Sequence, residues 1–299
     1  MSEAVIQING LVKYYSGRCV LDGVDLRIPK GCIYGLLGRN GAGKTTLIRI
    51  LTGLDWPTRG ETFVFGSSPK NLSAQQRGRI GYVAEGHNLI QNYTVGRLAG
   101  LCRGLSTKWN RQLFEKLIKK FNLPMGRKVK QLSMGMRAQL NLVLAMANEP
   151  ELLILDDPTL GLDTVWRREF LELAIELLGK DGRTILFSSH ILSDVERIAD
   201  RIGIITAGKL AVDCELEELK KRIKKFQLIF PDAAPEKLPL TEIISQKTSG
   251  REMILVIANW DEPKRKVIEA FEPKSIVEIP MNLEDLFIEC TAQKEKMEI

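Results

Sequence analysis

Residues 132–163 read LSMGMRAQLNLVLAMANEPELLILDDPTLGLD. A Ser-Gly turn opens an amphipathic helix, the helix gives way to a run of Leu and Ile, and that run ends in two aspartates. Upstream, residues 38–45 read GRNGAGKT, a Gly, four residues and then Gly-Lys-Thr, which meets a phosphate-cradling pattern at every position. Glycines let successive backbone N–H groups turn toward a phosphate chain, and the helix that follows adds the positive end of its dipole. A glycine loop, a Ser-Gly turn and an acid-ended strand, in that order, speak of nucleotide chemistry.

Working outward, residues 5–11, 24–28 and 33–37 are strand-like, and the glycine loop leads into a helix expected from about residue 44 to 51. Between residues 94 and 147 the pattern turns helical: WNRQLFEKLIKKF spaces Leu113, Leu117, Ile118 and Phe121 at three and four, with a polar opposite face. This stretch is expected to be an inserted helical subdomain. Continuous apolar runs at 152–155, 184–187 and 202–205, separated by helices, are the pattern of buried parallel strands. The expectation is an α/β protein with a wound nucleotide-binding domain over residues 1–215 and a small C-terminal α/β domain over 216–299. In the second, ELEELKKRIKKF reads as a charged helix with a solvated basic face. FQLIF, MILVIA and SIVEI read as strands, PKRKVIEAF and NLEDLFIECTAQ as helices.

At 299 residues and 44% hydrophobic, the chain has material for one large or two modest domains. No run of eighteen apolar residues occurs, and MSEAVIQINGLVKYY lacks the basic-then-apolar order of a signal peptide, so a soluble, cytosolic protein is expected. Cys19, Cys32, Cys102, Cys214 and Cys290 are scattered, without the short paired spacing of zinc sites or a disulfide framework, and read as reduced and structural. A net charge of +6 favours anionic partners such as nucleotide or an acidic membrane face. It is too small and diffuse to argue for nucleic acid.

Within the glycine loop, Lys44 is expected to hold β- and γ-phosphates, while Thr45 offers its hydroxyl to Mg²⁺. The strand ending at Asp156 puts a carboxylate at the edge of the sheet beside those phosphates, a second magnesium anchor acting through water. Asp157 follows where a base could polarise an attacking water.

The segment Leu132, Ser133, Met134, Gly135, Met136 separates this chain from kinases and small GTPases. Here the sequence resembles the ATP-binding-cassette family of transporter ATPases, over nearly all of residues 4–214. The resemblance implies a P-loop cassette: a mixed sheet with a RecA-like core, an antiparallel β edge and an inserted helical subdomain, binding ATP and Mg²⁺. Gly38, Asn40, Gly41, Gly43, Lys44, Thr45 and Thr46 match its phosphate loop. In such proteins two cassettes face head to tail, and Ser133 and Gly135 match the residues that hold the γ-phosphate bound to the opposite subunit. Tyr15 matches the aromatic that stacks on adenine, with Tyr14 the lesser candidate. Asp163, in LGLD, resembles the loop that crosses between subunits, and His190, ending TILFSSH, the histidine that contacts the γ-phosphate. His87 has no such context and reads as a surface or packing residue.

Two departures fall at the reacting phosphate. After the IGYV strand stands Glu85 where most of the family carries Gln, and Asp157 stands where most carry the catalytic Glu. Glu85 adds a charge near Mg²⁺, which a cation tolerates or favours, and could share the role of base. Asp157 keeps the carboxylate but draws it back by one methylene, and a misplacement near 1 Å can cost about a hundredfold in rate. Two outcomes stay open: hydrolysis through an adjusted backbone or a second water, or slow hydrolysis with ATP acting chiefly as a dimer clamp.

The phrases SSHILSDVERIADRIGIITAGKL and NLEDLFIECT look like the branch serving drug, lipid or polysaccharide exporters, and residues 86–93 match the surface that receives a coupling helix. The implied function is the ATPase subunit of an exporter-like transporter, on the cytoplasmic face of the membrane. A second cassette, most simply another copy, and separate integral-membrane subunits are its expected partners. The alternatives are a soluble cassette acting on DNA or ribosomes, whose long coiled coils or second cassette this chain lacks, and a regulatory cassette gated by its C-terminal domain.

Overall fold

Continuous burial of short apolar runs decides the architecture. The computed structural model describes residues 3–159, 162, 164–179 and 182–295, and the chain divides into two units, Met1–Asp213 and Cys214–Ile299.

The first unit contains, in order, β1 (Ala4–Tyr15), β2 (Arg18–Pro29), β3 (Ile33–Leu37), α1 (Lys44–Leu51), β4 (Arg59–Val64), α2 (Ala74–Arg77), β5 (Ile80–Val83), α3 (Val95–Leu105), α4 (Arg111–Lys120), α5 (Met134–Met146), β6 (Leu152–Asp156), α6 (Thr164–Gly179), β7 (Thr184–Ser188), α7 (Leu192–Ile198), β8 (Arg201–Thr206) and β9 (Lys209–Glu215). Its main sheet has the order β5-β6-β7-β3-β8-β9. β3 runs parallel to β7 and β8, and β6 parallel to β5 and β7. Every residue of β6 and β7 is buried, as strands covered on both faces must be. Because these strands are parallel, their carboxyl ends share one edge. Leu37 at the end of β3 enters the glycine loop, and Asp156 at the end of β6 is registered opposite Ser188 at the end of β7.

A second sheet, β2-β1-β4, is antiparallel. Ile6, Ile8 and Leu11 of β1 pair with Ile28, Leu26 and Val24 of β2, all buried on one face, each such side chain contributing about 1.5–3 kcal/mol through burial. α1 begins at Lys44 and ends at Leu51 and buries Leu47, Ile48, Ile50 and Leu51. The amphipathic α4 buries Phe114 and Leu117; Phe114, three and four residues before Leu117 and Ile118, takes the core place expected of Leu113, which is half-buried, and packs its ring on Trp109. β4 and β9 escape a pattern reading because each mixes charged with apolar residues and neither is continuously buried.

The second unit holds α8 (Leu216–Arg222), β10 (Lys224–Ile229), β11 (Ile243–Ser249), β12 (Glu252–Ile257), α9 (Glu262–Glu269), β13 (Ser275–Ile279) and α10 (Leu283–Glu295), with an antiparallel sheet of order β11-β12-β10-β13. The charged helix is shorter than expected. It stops at Arg222, and the second Lys-Lys pair belongs to β10, because from Lys224 onward a period of two places Phe226 and Leu228 in the core with Leu255, Ile257 and Ile268.

Candidate functional site

The carboxyl edge of the main sheet opens into a cavity of about 770 Å³ whose walls include Tyr15, Arg18, Asn40, Gly41, Gly43, Lys44, Thr45, Thr46, Glu85, Asp156, Asp157 and Ser188. Two glycines make the loop possible. A Cβ at Gly38 would lie 2.6 Å from the Ile205 carbonyl oxygen, and Gly43, which precedes α1, sits at φ 109 with Leu21 and the Val20 carbonyl packed against it. No side chain caps α1, so its first N–H groups face the cavity without an internal partner, the arrangement that attracts an anion.

Lys44 is buried and its Nζ donates to the Gly38 carbonyl at 2.7 Å. Burial pushes the Lys44 ammonium below its ordinary range, while Asp157, Asp156 and Glu85 pull it back up. Asp156 is held by two hydroxyl donors, Ser188 Oγ at 2.8 Å and Thr45 Oγ1 at 3.3 Å, both on Oδ1. Its Oδ2 is buried with no hydrogen-bond partner. Desolvation raises the Asp156 carboxyl, against the lowering pull of Ser188 and Thr45. An orphaned buried carboxylate oxygen beside a threonine hydroxyl is a hard-oxygen set that suits Mg²⁺. Three carboxylates facing Lys44 and the exposed Arg18 also leave the cavity in need of a further cation before a polyphosphate enters. Glu85 is exposed on the cavity wall; among the described residues no group of three or more His, Cys, Asp and Glu side chains stands close enough to form a metal cluster by itself.

Asp157 adopts φ 45, a left-handed conformation that costs an Asp roughly 1–2 kcal/mol. Its backbone N–H donates to Ser188 Oγ at 3.0 Å, and its Oδ2 lies 2.7 Å from His190 Nδ1. A carboxylate only accepts, so this contact selects the tautomer or ionic form with the proton on Nδ1. Asp157 Oδ1 is the second buried carboxylate oxygen here without a partner. Ser188 is therefore a relay, fully buried, that accepts from Asp157 and donates to Asp156. The sequence offers one signal for it, the serine two places before His190.

Ser133 and Gly135 do not line this cavity. Ser133 caps α5, accepting from the Met136 N–H at 3.2 Å. Among the described residues a Cβ on Gly135 would meet only Leu162, at an ordinary 3.7 Å, so their packing does not require glycine there. Asp163 lies outside the described residues. Tyr15 lines the cavity mouth, 41% exposed, whereas Tyr14, also exposed, is not part of the wall.

The family model described as ABC transporter matches residues 21–160. ABC transporter ATP-binding protein YtrB of Bacillus subtilis (strain 168) is 32% identical over 95% of this chain and 97% of its own length. The chain belongs to the ABC transporter family. The bacitracin transport ATP-binding protein BcrA of Enterococcus faecalis is 37% identical over 75% of this chain and 73% of its own. A dimeric bacterial ABC transporter cassette superimposes with a TM-score of 0.63 at 25% identity, over 71% of this chain and 98% of that one. This ABC protein has the P-loop cassette fold and is an ATP-binding subunit of a transporter. Among its described residues no helix is long and apolar enough to cross a membrane.

Proposed function

We propose that this chain is the Mg²⁺-dependent ATPase of an exporter-type transporter, acting as one of a pair of cassettes on separate membrane subunits at the cytoplasmic face, with Asp157 as base. The observation that carries the reading is the 2.7 Å contact of His190 with Asp157 in a cavity that also presents Lys44, Thr45 and Asp156. Lys44 and the N–H groups ahead of α1 hold the β- and γ-phosphates, and Thr46, Asn40 and the loop glycines shape their cradle. Thr45 and Asp156 hold Mg²⁺, which when bound neutralises charge on the triphosphate. Asp157 takes the proton of the attacking water, while His190 keeps its carboxylate in one orientation. The 2.7 Å contact with His190 supports hydrolysis despite the shorter side chain, since it fixes the carboxylate in one orientation.

Glu85, on the same wall, shares the work of base and adds charge on the magnesium side. Tyr15 stacks on adenine. Ser133 and Gly135 serve the nucleotide of the opposite cassette, which is supported by a glycine that the described residues around it do not require. Asp163 belongs to the crossing between the two. The dimeric relative supports a second copy as partner, and the bacitracin transport relative supports export. Residues 216–299 form an accessory domain.

The test is Mg²⁺-dependent ATP turnover of the purified chain beside Lys44→Ala and Asp157→Asn, with dimerisation followed by light scattering. Turnover lost in both, with ATP-locked dimers in Asp157→Asn, supports the reading. A wild type that dimerises on ATP without turning it over overturns it in favour of an ATP clamp. Glu85→Gln in the same assay should depress turnover far more than ATP binding, and an unchanged turnover number rules out its share in the chemistry.

A further inference from the structure

Around Tyr15 lies a charged cluster that none of the nucleotide motifs includes. Lys13 stands two residues before Tyr15 on β1, hence on the same face of the strand. Only 8% exposed, it places Nζ 2.6 Å from Asp55 Oδ1, 2.7 Å from the Trp56 carbonyl oxygen and 4.6 Å from the centre of the Tyr15 ring. An ammonium has three protons, and these three contacts match them. Asp55 Oδ1 also accepts the Trp56 N–H at 2.7 Å, and Oδ2 accepts the Tyr15 hydroxyl.

Asp55 is itself fixed to the helix that carries the phosphate loop. Gly53, at φ 73, reverses the chain after α1, and the N–H groups of Leu54 and Asp55 return to the Arg49 carbonyl at 2.8 and 3.1 Å. Burial works against charge on Asp55, but hydrogen bonds from Lys13, Tyr15 and the Trp56 N–H outweigh it and hold the carboxyl at about 2. Burial and the bond to Asp55 push the Tyr15 phenol up. Carboxylate and phenol therefore face each other in the states that bond best.

We propose that Lys13 and Asp55 are positioning residues for the nucleobase, which tether the Tyr15 hydroxyl and cover one face of its ring so that the opposite face is presented to a purine. A tethered ring loses little freedom when a base stacks on it, so more of the contact appears as affinity. The cation draws π density toward its own side, which eases the approach of a second electron-rich ring on the other. Since α1 carries both the phosphate loop and the anchor of Asp55, base and phosphates are held at a fixed separation. The proposal rests on Tyr15 being the stacking residue.

The experiment compares binding of Mg²⁺-ATP with Mg²⁺-tripolyphosphate, which has the phosphates and no base, to the full chain and to Asp55→Asn, Tyr15→Phe and Tyr15→Ala. A stack is worth about five- to a hundredfold in affinity. Losing the tether while keeping the ring is therefore expected to weaken ATP by about five- to tenfold in Asp55→Asn and Tyr15→Phe, with tripolyphosphate held within about twofold. The KM for ATP should rise in step while kcat at saturation changes far less. Equal weakening of both ligands in Asp55→Asn would make the cluster a brace between β1 and α1 and overturn the proposal. A preference for ATP lost in Tyr15→Ala but kept in Asp55→Asn and Tyr15→Phe would leave stacking standing and remove the tether. A preference kept even in Tyr15→Ala would overturn the stacking reading and the proposal with it.

Discussion

At the inner end of the cavity Lys44, Asp156 and Ser188 are buried, and their partners are loop carbonyls, hydroxyls and the ends of adjacent strands. At its mouth Tyr15 is 41% exposed and is held by a carboxylate forty residues further along the chain. The inner end is built from short segments whose backbone geometry is the site, and it tolerates little variation. The outer end is built from side chains meeting across two elements, where loss of one partner leaves the others able to shift. Damage at the inner end is thus expected to appear in the rate of chemistry and, where a buried hydroxyl is lost, in stability, and damage at the mouth chiefly in affinity.

The sharpest break is Lys44→Ala, which removes the buried cation of the cavity wall that we propose holds the phosphates. Turnover should fall by about 100- to 1000-fold, and a loss below tenfold in a steady-state assay would undo the assignment of the inner end. Asp157→Asn keeps the shape and removes the basic oxygen, so turnover should fall about a hundredfold while equilibrium binding of ATP persists. Ser188→Ala leaves the Asp157 N–H and the Asp156 carboxylate without the hydroxyl they share. It should cost about 1–3 kcal/mol of stability and roughly tenfold in turnover, with partial return in Ser188→Thr; intact turnover and melting temperature would show the relay to be dispensable. The smallest effect belongs to the mouth. Asp55 has a folded-state carboxyl at about 2, below the ordinary 3.8, so its contribution to stability is fully present above pH 4 and is lost as pH falls toward 2. Asp55→Asn should lower the melting temperature by about 2 °C near neutrality, and the gap from wild type should close on titration below pH 4.

The contrast also explains what could be read from the chain. GRNGAGKT dictates a strand, a turn and a helix because glycine positions and helix start are local facts, and α1 spans Lys44–Leu51 as that pattern requires. The apolar runs ending at Asp156 and near Ser188 mark buried parallel strands by continuity alone. β11 and the early end of α8 were not legible, since IISQKTS lacks a consistent alternation and the Lys-rich run of 220–225 suits a helix face as well as a strand edge. Ser188 looks like an ordinary strand residue until the β6–β7 register sets it opposite Asp156.

By itself the sequence determined the family, the phosphate loop, the order of strands and helices around it and the two acids at the end of β6, because each depends on residues close together in the chain. Tertiary structure alone decided that Ser188 joins the two acids, that His190 meets Asp157, and that Lys13 and Asp55 meet Tyr15. Those contacts link residues separated by 31 to 42 positions, and no local spacing encodes a distance that only the packing of α1, β1, β6 and β7 creates.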